Sequence, residues 1–268
     1  MAARDLPTPA RDLPTLMGEL ADLVAAAGMQ PRTHAYGADP EQVADLLLPA
    51  TAGPHPVVVL LHGGFWRARF DRSLMAALAV DLADRGWASW NVEYRRVGNG
   101  GGVPETLDDV RAAIAALRQL TEPIAAERVV VIGHSAGGQL GLCVADDPAV
   151  SAVVSQAGVC DLAWAFAEGI GDNAAAAFVG AGPAARPEAY RLADPMARIP
   201  AEARVLLVHG DADDRVPVEH SRRYARAAAA AGDESCELLE LAGVDHFAVI
   251  DPRTPTWAAI AARLEALR

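Results

Sequence analysis

The chain has 268 residues, 52% of them apolar and only 5% aromatic, with a net charge of −12 and a pI near 5.0. That length suits one α/β domain or two small ones, and the apolar content is ample for a large core. The sequence has no basic patch, which argues against nucleic acid as a partner, and no apolar run reaches the roughly 18 residues of a membrane-crossing helix.

The N-terminus repeats Arg-Asp-Leu-Pro-Thr at residues 4–8 and 11–15, a near-duplication too short to be a structural repeat. Residues 1–14 are expected to form a poorly ordered arm. Pro7, Pro9, Pro14 and the early acidic residues are unlike a secretory signal, so the expected compartment is the cytoplasm. Thr15 is placed to cap a short helix over 16–27, with Leu16, Leu20, Leu23 and Val24 on one face and Gly28 ending it.

Strands are predicted at 33–36 and 42–48, an antiparallel edge pair, and a buried strand at 57–61. A helix follows over 72–85, a strand over 88–94, a glycine-rich loop over 95–103 and a helix over 104–120. The next strand, Val129 to Ile132, runs into a helix after Ser135, and a further strand covers 149–155. Between 160 and 200 the pattern weakens to alanines, prolines and scattered bulky residues, which suggests a small cap inserted between two strands. Regular order resumes with a strand at 204–209, a helix at 218–231, a strand at 236–241 and a helix at 255–267. Strands alternating with helices predict a parallel sheet covered on both faces, within one domain over 1–268.

Three segments at the ends of predicted strands carry chemistry. Gly133-x-Ser135-x-Gly137, between a strand of β-branched residues and a helix, has the pattern of a nucleophile elbow. The turn forces the serine into a strained conformation, and only glycines fit beside it. His62-Gly63-Gly64-Phe65-Trp66 follows the 57–61 strand, where glycines let backbone N–H groups approach a developing oxyanion. Gly64 and Phe65 are the candidate donors from this loop, and Ala136, the residue after the serine, is the other. Phe65, Trp66 and His134 are the candidate pocket residues, while His62 is expected to brace the loop.

After the 204–209 strand come three carboxylates, Asp211, Asp213 and Asp214, and the residues alone leave the choice among them open. The loop lacks the glycine and glutamate of a calcium site. Cys143, Cys160 and Cys236 are far apart and suggest neither disulfide nor zinc. His246 follows the last strand and is third in the order Ser…Asp…His, which makes it the candidate base. His34, His55, His209 and His220 are read as structural or exposed.

These segments resemble the α/β-hydrolase superfamily from about residue 42 to the C-terminus. Gly133-His-Ser-Ala-Gly-Gly138 looks like its nucleophile elbow, and His209-Gly-Asp-Ala-Asp213-Asp-Arg-Val-Pro217 is similar to its acid loop, which implies Asp213 as the acid. His62-Gly-Gly-Phe-Trp66 with Asn91-Val-Glu-Tyr-Arg-Arg96 resembles the branch of hormone-sensitive-lipase-type esterases and arylformamidases. Phe65 stands where the lipase type has a third glycine, a departure shared with formamidase-like members. The segment Glu93-Tyr94-Arg95 resembles the support of the oxyanion loop. The implied fold is a three-layer sandwich around a mostly parallel eight-stranded sheet with antiparallel strands at its N-terminal edge.

The expectation is a serine hydrolase that cleaves a carboxylic ester, or a small aryl amide or formamide, through an acyl-enzyme on Ser135, His246 and Asp213. No metal or organic cofactor is implied. The expected partner is a small-molecule ester or amide, with homodimerisation left open. An acylaminoacyl peptidase would bring a propeller domain for which there is no room, and a non-catalytic receptor would lack a triad member.

Overall fold

A computed structural model describes residues 12–267. In chain order the elements are α1 (Leu13–Ala27), β1 (Arg32–Ala35), β2 (Val43–Leu47), β3 (His55–Leu61), α2 (Ala76–Asp84), β4 (Ala88–Val92), α3 (Glu105–Ala116), β5 (Ile124–His134), α4 (Ala136–Leu142) and β6 (Val150–Gln156). There follow α5 (Leu162–Ala167), α6 (Ile170–Val179), α7 (Pro187–Ala193), β7 (Arg204–Gly210), α8 (Glu219–Ala230), β8 (Cys236–Leu241) and α9 (Pro255–Leu264). The eight strands form one sheet in the order β1-β2-β4-β3-β5-β6-β7-β8. β1–β2 and β2–β4 are antiparallel, and every other pair is parallel.

The unbroken apolar runs are explained by two cores, one on each face of the sheet. In β3, Val57, Val59 and Leu61 face one core while Val58 and Leu60 face the other, and all five are fully buried. β5 divides in the same way, Val129 and Val131 to one side and Val130 and Ile132 to the other. The first core is closed by α3, α4 and α8 through residues such as Val110, Leu140 and Tyr224. The second is closed by α2 and α9 through Leu78, Trp257 and Ile260. Each fully buried Val or Leu contributes about 1.5–3 kcal/mol, so the central strands form the most strongly held part of the chain. Their carboxyl ends are therefore a rigid platform for the loops that follow them. Among the described residues no helix is long and apolar enough to cross a membrane.

Several boundaries differ from the sequence reading. The cap of α1 is Asp12, whose carboxylate accepts hydrogen bonds from both the backbone N–H and the hydroxyl of Thr15 (2.9 Å each). Leu13 and Pro14 are thus helical rather than part of an arm, Pro14 sitting in the first turn where its missing N–H costs nothing. The reading of residues 1–11 as poorly ordered lies outside the described residues. β5 starts at Ile124, with a register shift against β3 before Val129, because exposed Glu127 and Arg128 interrupt its apolar pattern. The stretch 160–200 holds the three helices α5, α6 and α7. A left-handed turn at Gly171, Asp172 and Asn173 (φ 62°, 56° and 58°) interrupts α6.

Candidate functional site

Ser135 stands between β5 and α4 with φ 56° and ψ −116°, a region that costs a non-glycine residue about 1–3 kcal/mol. The surroundings enforce it. A Cβ at Gly133 would lie 2.1 Å from the carbonyl oxygen of Gly137, and one at Gly137 would lie 2.1 Å from that of Leu61. The Ser135 N–H donates to the Gln156 carbonyl on β6 (2.8 Å), which ties the turn to the sheet.

The loop after β3 passes through three left-handed residues, Gly64, Phe65 and Trp66 (φ 117°, 55° and 57°). Among the described residues the backbone N–H groups of Gly64, Phe65 and Ala136 have no protein acceptor. The loop is held from below. Glu93 is a buried carboxylate that accepts from His62 Nε2 (2.9 Å), from the Arg96 guanidinium (2.6 Å) and from the backbone N–H groups of Arg72 (3.0 Å) and Tyr94 (3.1 Å). The Tyr94 hydroxyl donates to the His62 carbonyl (2.6 Å), and the two rings stack at 4.4 Å.

Burial pushes the Glu93 carboxyl up, but His62 and Arg96 outweigh it and hold it below its ordinary value. Its share of stability is therefore complete above the ordinary carboxylate range and is lost as pH falls through the lowered pKa. Glu93→Gln leaves the buried cationic side of this cluster without its counter-charge. The expected cost is about 3–5 kcal/mol at neutral pH, read as a lowered urea midpoint with unchanged slope.

The loop between β7 and α8 supplies Asp213. Its Oδ1 accepts the backbone N–H groups of Arg215 and Val216 (2.8 Å each). Its Oδ2 accepts from His246 Nδ1 (2.7 Å) and lies 3.2 Å from His209 Nε2. Burial opposes the charge, but the hydrogen bonds from His209 and His246 prevail and hold the carboxyl well below the usual range. The two neighbouring acids are spent elsewhere. Asp211 accepts from the Gly243 N–H (2.6 Å), and Asp214 is exposed beside Arg215.

With Nδ1 donating to Asp213, His246 has Nε2 free to act as a base. Its ring packs against His134 (centroids 4.7 Å) and, edge-on, against Phe247 (5.0 Å), which also touch each other (5.9 Å). Burial pushes the His134 pKa down to about 3, so this ring is neutral, and its Nε2–H donates to the His246 carbonyl (2.9 Å).

Gly64, Phe65, His134, Ser135 and His246 all line one cavity of about 410 Å³, whose remaining walls include Phe70, Leu74 and Phe247. Trp66 is not among them, which corrects its reading as a pocket residue. Its indole is buried, stacked on Phe178 at 4.6 Å, and its N–H donates to Gln139 (2.9 Å). His209 is the residue that sequence reasoning undervalued. It is fully buried, with Nδ1 2.8 Å from the Ser221 hydroxyl and Nε2 on Asp213 and the Val216 carbonyl. Its spacing of four from Asp213 was the available signal.

The family model BD-FAE matches residues 44–227. Esterase LipC of Mycobacterium tuberculosis (strain ATCC 25618 / H37Rv) is 32% identical over 260 residues, which cover 84% of this chain. The chain spans 62% of the length of that relative. Among solved structures, a truncated carbohydrate esterase from gut microbiota superposes with a TM-score of 0.78 at 20% identity, covering 89% of this chain and 96% of that one. Esterase B from Lactobacillus rhamnosis (HN001) gives 0.77 at 18% identity over 95% and 92%. Esterase 2 of Thermogutta terrifontis gives 0.69 at 22% identity over 88% and 90%. These likenesses establish the α/β-hydrolase fold expected from the sequence.

Proposed function

Since the chain belongs to the BD-FAE family, with an α/β-hydrolase fold, we propose that it is a serine hydrolase acting on small carboxylic esters through an acyl-enzyme. One observation carries this reading. A strained serine, an imidazole anchored to a buried carboxylate and three unpaired backbone N–H groups belong to one site, with the serine and the imidazole lining a single cavity.

In the proposed reaction His246 Nε2 removes the Ser135 proton as Oγ attacks the ester carbonyl. The N–H groups of Gly64, Phe65 and Ala136 then receive the oxyanion, each such donor being worth about 10²–10³ in rate. His246 passes its proton to the leaving alcohol, and water activated by the same ring releases the acid. Asp213 holds the ring in the tautomer that presents Nε2. The esterase named among the relatives supports the ester over the amide.

A second reading, an aryl formamide as substrate, is favoured by the three phenyl rings of Phe65, Phe70 and Phe247 in the cavity wall. The segment 160–200 acts in either case as a cap within a single domain. It reaches the oxyanion loop where the Arg67 guanidinium donates to the Gly171 carbonyl (2.6 Å).

The test is a paired assay of p-nitrophenyl acetate and butyrate beside N-formylkynurenine, with a fluorophosphonate probe for the serine. The expected result is ester turnover and labelling confined to Ser135. Efficient formamide cleavage with slow ester turnover would select the second reading, and absence of both turnover and labelling would exclude a hydrolase.

A further inference from the structure

Every cation of this acidic chain except its histidines and N-terminus is a guanidinium, since its 23 basic residues are all arginines. Most of the described arginines are neutralised by a carboxylate. Arg69 is not. Among the described residues it has no hydrogen-bonding or ion-pair partner, and its guanidinium lies over the Phe70 ring, 4.9 Å from the centroid. Phe70 and Arg69 both line the cavity that holds Ser135 and His246.

A second guanidinium, that of Arg215, belongs to the same wall, and among the described residues its only ion-pair partner is the exposed Asp214 at 3.3 Å. One acid also borders the cavity, Asp12, whose carboxylate accepts from the N–H and hydroxyl of Thr15 at the start of α1, so two cations outweigh one anion in this wall. The other lining residues are the apolar ones and the groups already given roles. The wall thus combines phenyl and leucine surface with two cations whose forks suit a carboxylate.

Resting on the serine-hydrolase reading, we propose that this cavity is specific for esters carrying a carboxylate, which Arg69 and Arg215 receive while the apolar part of the substrate lies along Phe65, Phe70 and Phe247. The cation over Phe70 keeps its hydration on the outer side, and the ring restricts its swing, so a fork is presented to an arriving anion at low entropic cost. The chain carries a net charge of −12, which disfavours anions on the whole and makes a cationic patch at the cavity a local exception. The arginines therefore act on encounter as well as on binding, and both effects weaken with salt.

The test compares matched substrates that differ by one carboxylate. Mono-p-nitrophenyl glutarate against p-nitrophenyl butyrate places the charge on the acyl side. 4-Acetoxybenzoate against phenyl acetate places it on the leaving group. Wild type is expected to favour the carboxylate member of at least one pair in kcat/KM, and 0.5 M NaCl is expected to reduce that preference.

Arg69→Gln with Arg215→Gln should lower the preference by about tenfold, chiefly through KM, while turnover of the neutral esters stays within about twofold. Arg118→Gln with Arg128→Gln, which makes the same charge change away from the cavity, should leave the preference intact. Equal use of both members of each pair by wild type would overturn the proposal and leave the hydrolase standing. So would a preference that survives in the double variant. Failure of Ser135 to react with a fluorophosphonate would instead remove the hydrolase reading itself, and the proposal with it.

Discussion

Ser135→Ala is expected to lower kcat/KM for p-nitrophenyl butyrate by about 10⁶, to the level of the remaining oxyanion donors and binding contacts. The size of the effect follows from how little else the substitution touches. Alanine keeps the Cβ and adopts the same strained φ of 56°, and the N–H bond to Gln156 is unchanged. Ser135 is buried and its neighbours Gly133 and Gly137 remain, so the elbow has nowhere else to go. Thermal unfolding of the variant should therefore match wild type within a few degrees. Fluorophosphonate labelling should vanish together with activity. Retained turnover with an unchanged melting temperature would show that another group attacks the ester.

How far such a site can be read from sequence depends on the range over which its residues act. The strand Val57 to Leu61 was legible because each of its side chains is buried on one face or the other, which leaves an unbroken apolar run. The elbow was legible because its glycines answer local contacts, Gly133 with Gly137 and Gly137 with Leu61. Glu93 was singled out only through resemblance, since its partners His62, Arg72 and Arg96 come from two separate loops. The helices of 160–200 were not legible. They are short, and the left-handed turn at 171–173 breaks the periodicity that would have marked α6. Trp66 was misplaced because an aromatic next to an oxyanion loop suits a pocket wall as well as a core. Only the depth of Phe178 and Gln139 decides between them. His209 was passed over because its spacing of four from Asp213 is only a hint: the sequence does not show that the loop turns back to bring that carboxylate 3.2 Å from its ring.

That same cluster is the ground for proposing Asp213 among the three acids of the β7–α8 loop. Asp213→Asn is expected to reduce kcat by about 10⁴, and Asp214→Asn to leave it within about twofold. The asymmetry comes from counting donors. Asp213 faces four N–H groups, those of His246 and His209 on Oδ2 and those of Arg215 and Val216 on Oδ1. An asparagine offers one oxygen and one NH₂, so either orientation sets its NH₂ against donors. The rotation that spares the backbone pair turns the NH₂ toward His246 and drives that ring to the tautomer whose Nε2 carries the proton and cannot act as a base. The variant should also be less stable at neutral pH, with a buried donor unsatisfied at about 1–3 kcal/mol. The pH dependence adds an independent check. Because the folded carboxyl titrates below the ordinary 3.8, its contribution is fully present above that value and disappears as pH falls toward the lowered pKa. Wild type should lose stability over that acid range, and Asp213→Asn should lose less. Asp214 is exposed, pairs only with an exposed arginine and has no hydrogen bond to either histidine among the described residues. Should Asp214→Asn prove the more damaging of the two, the acid of this site would have to be reassigned.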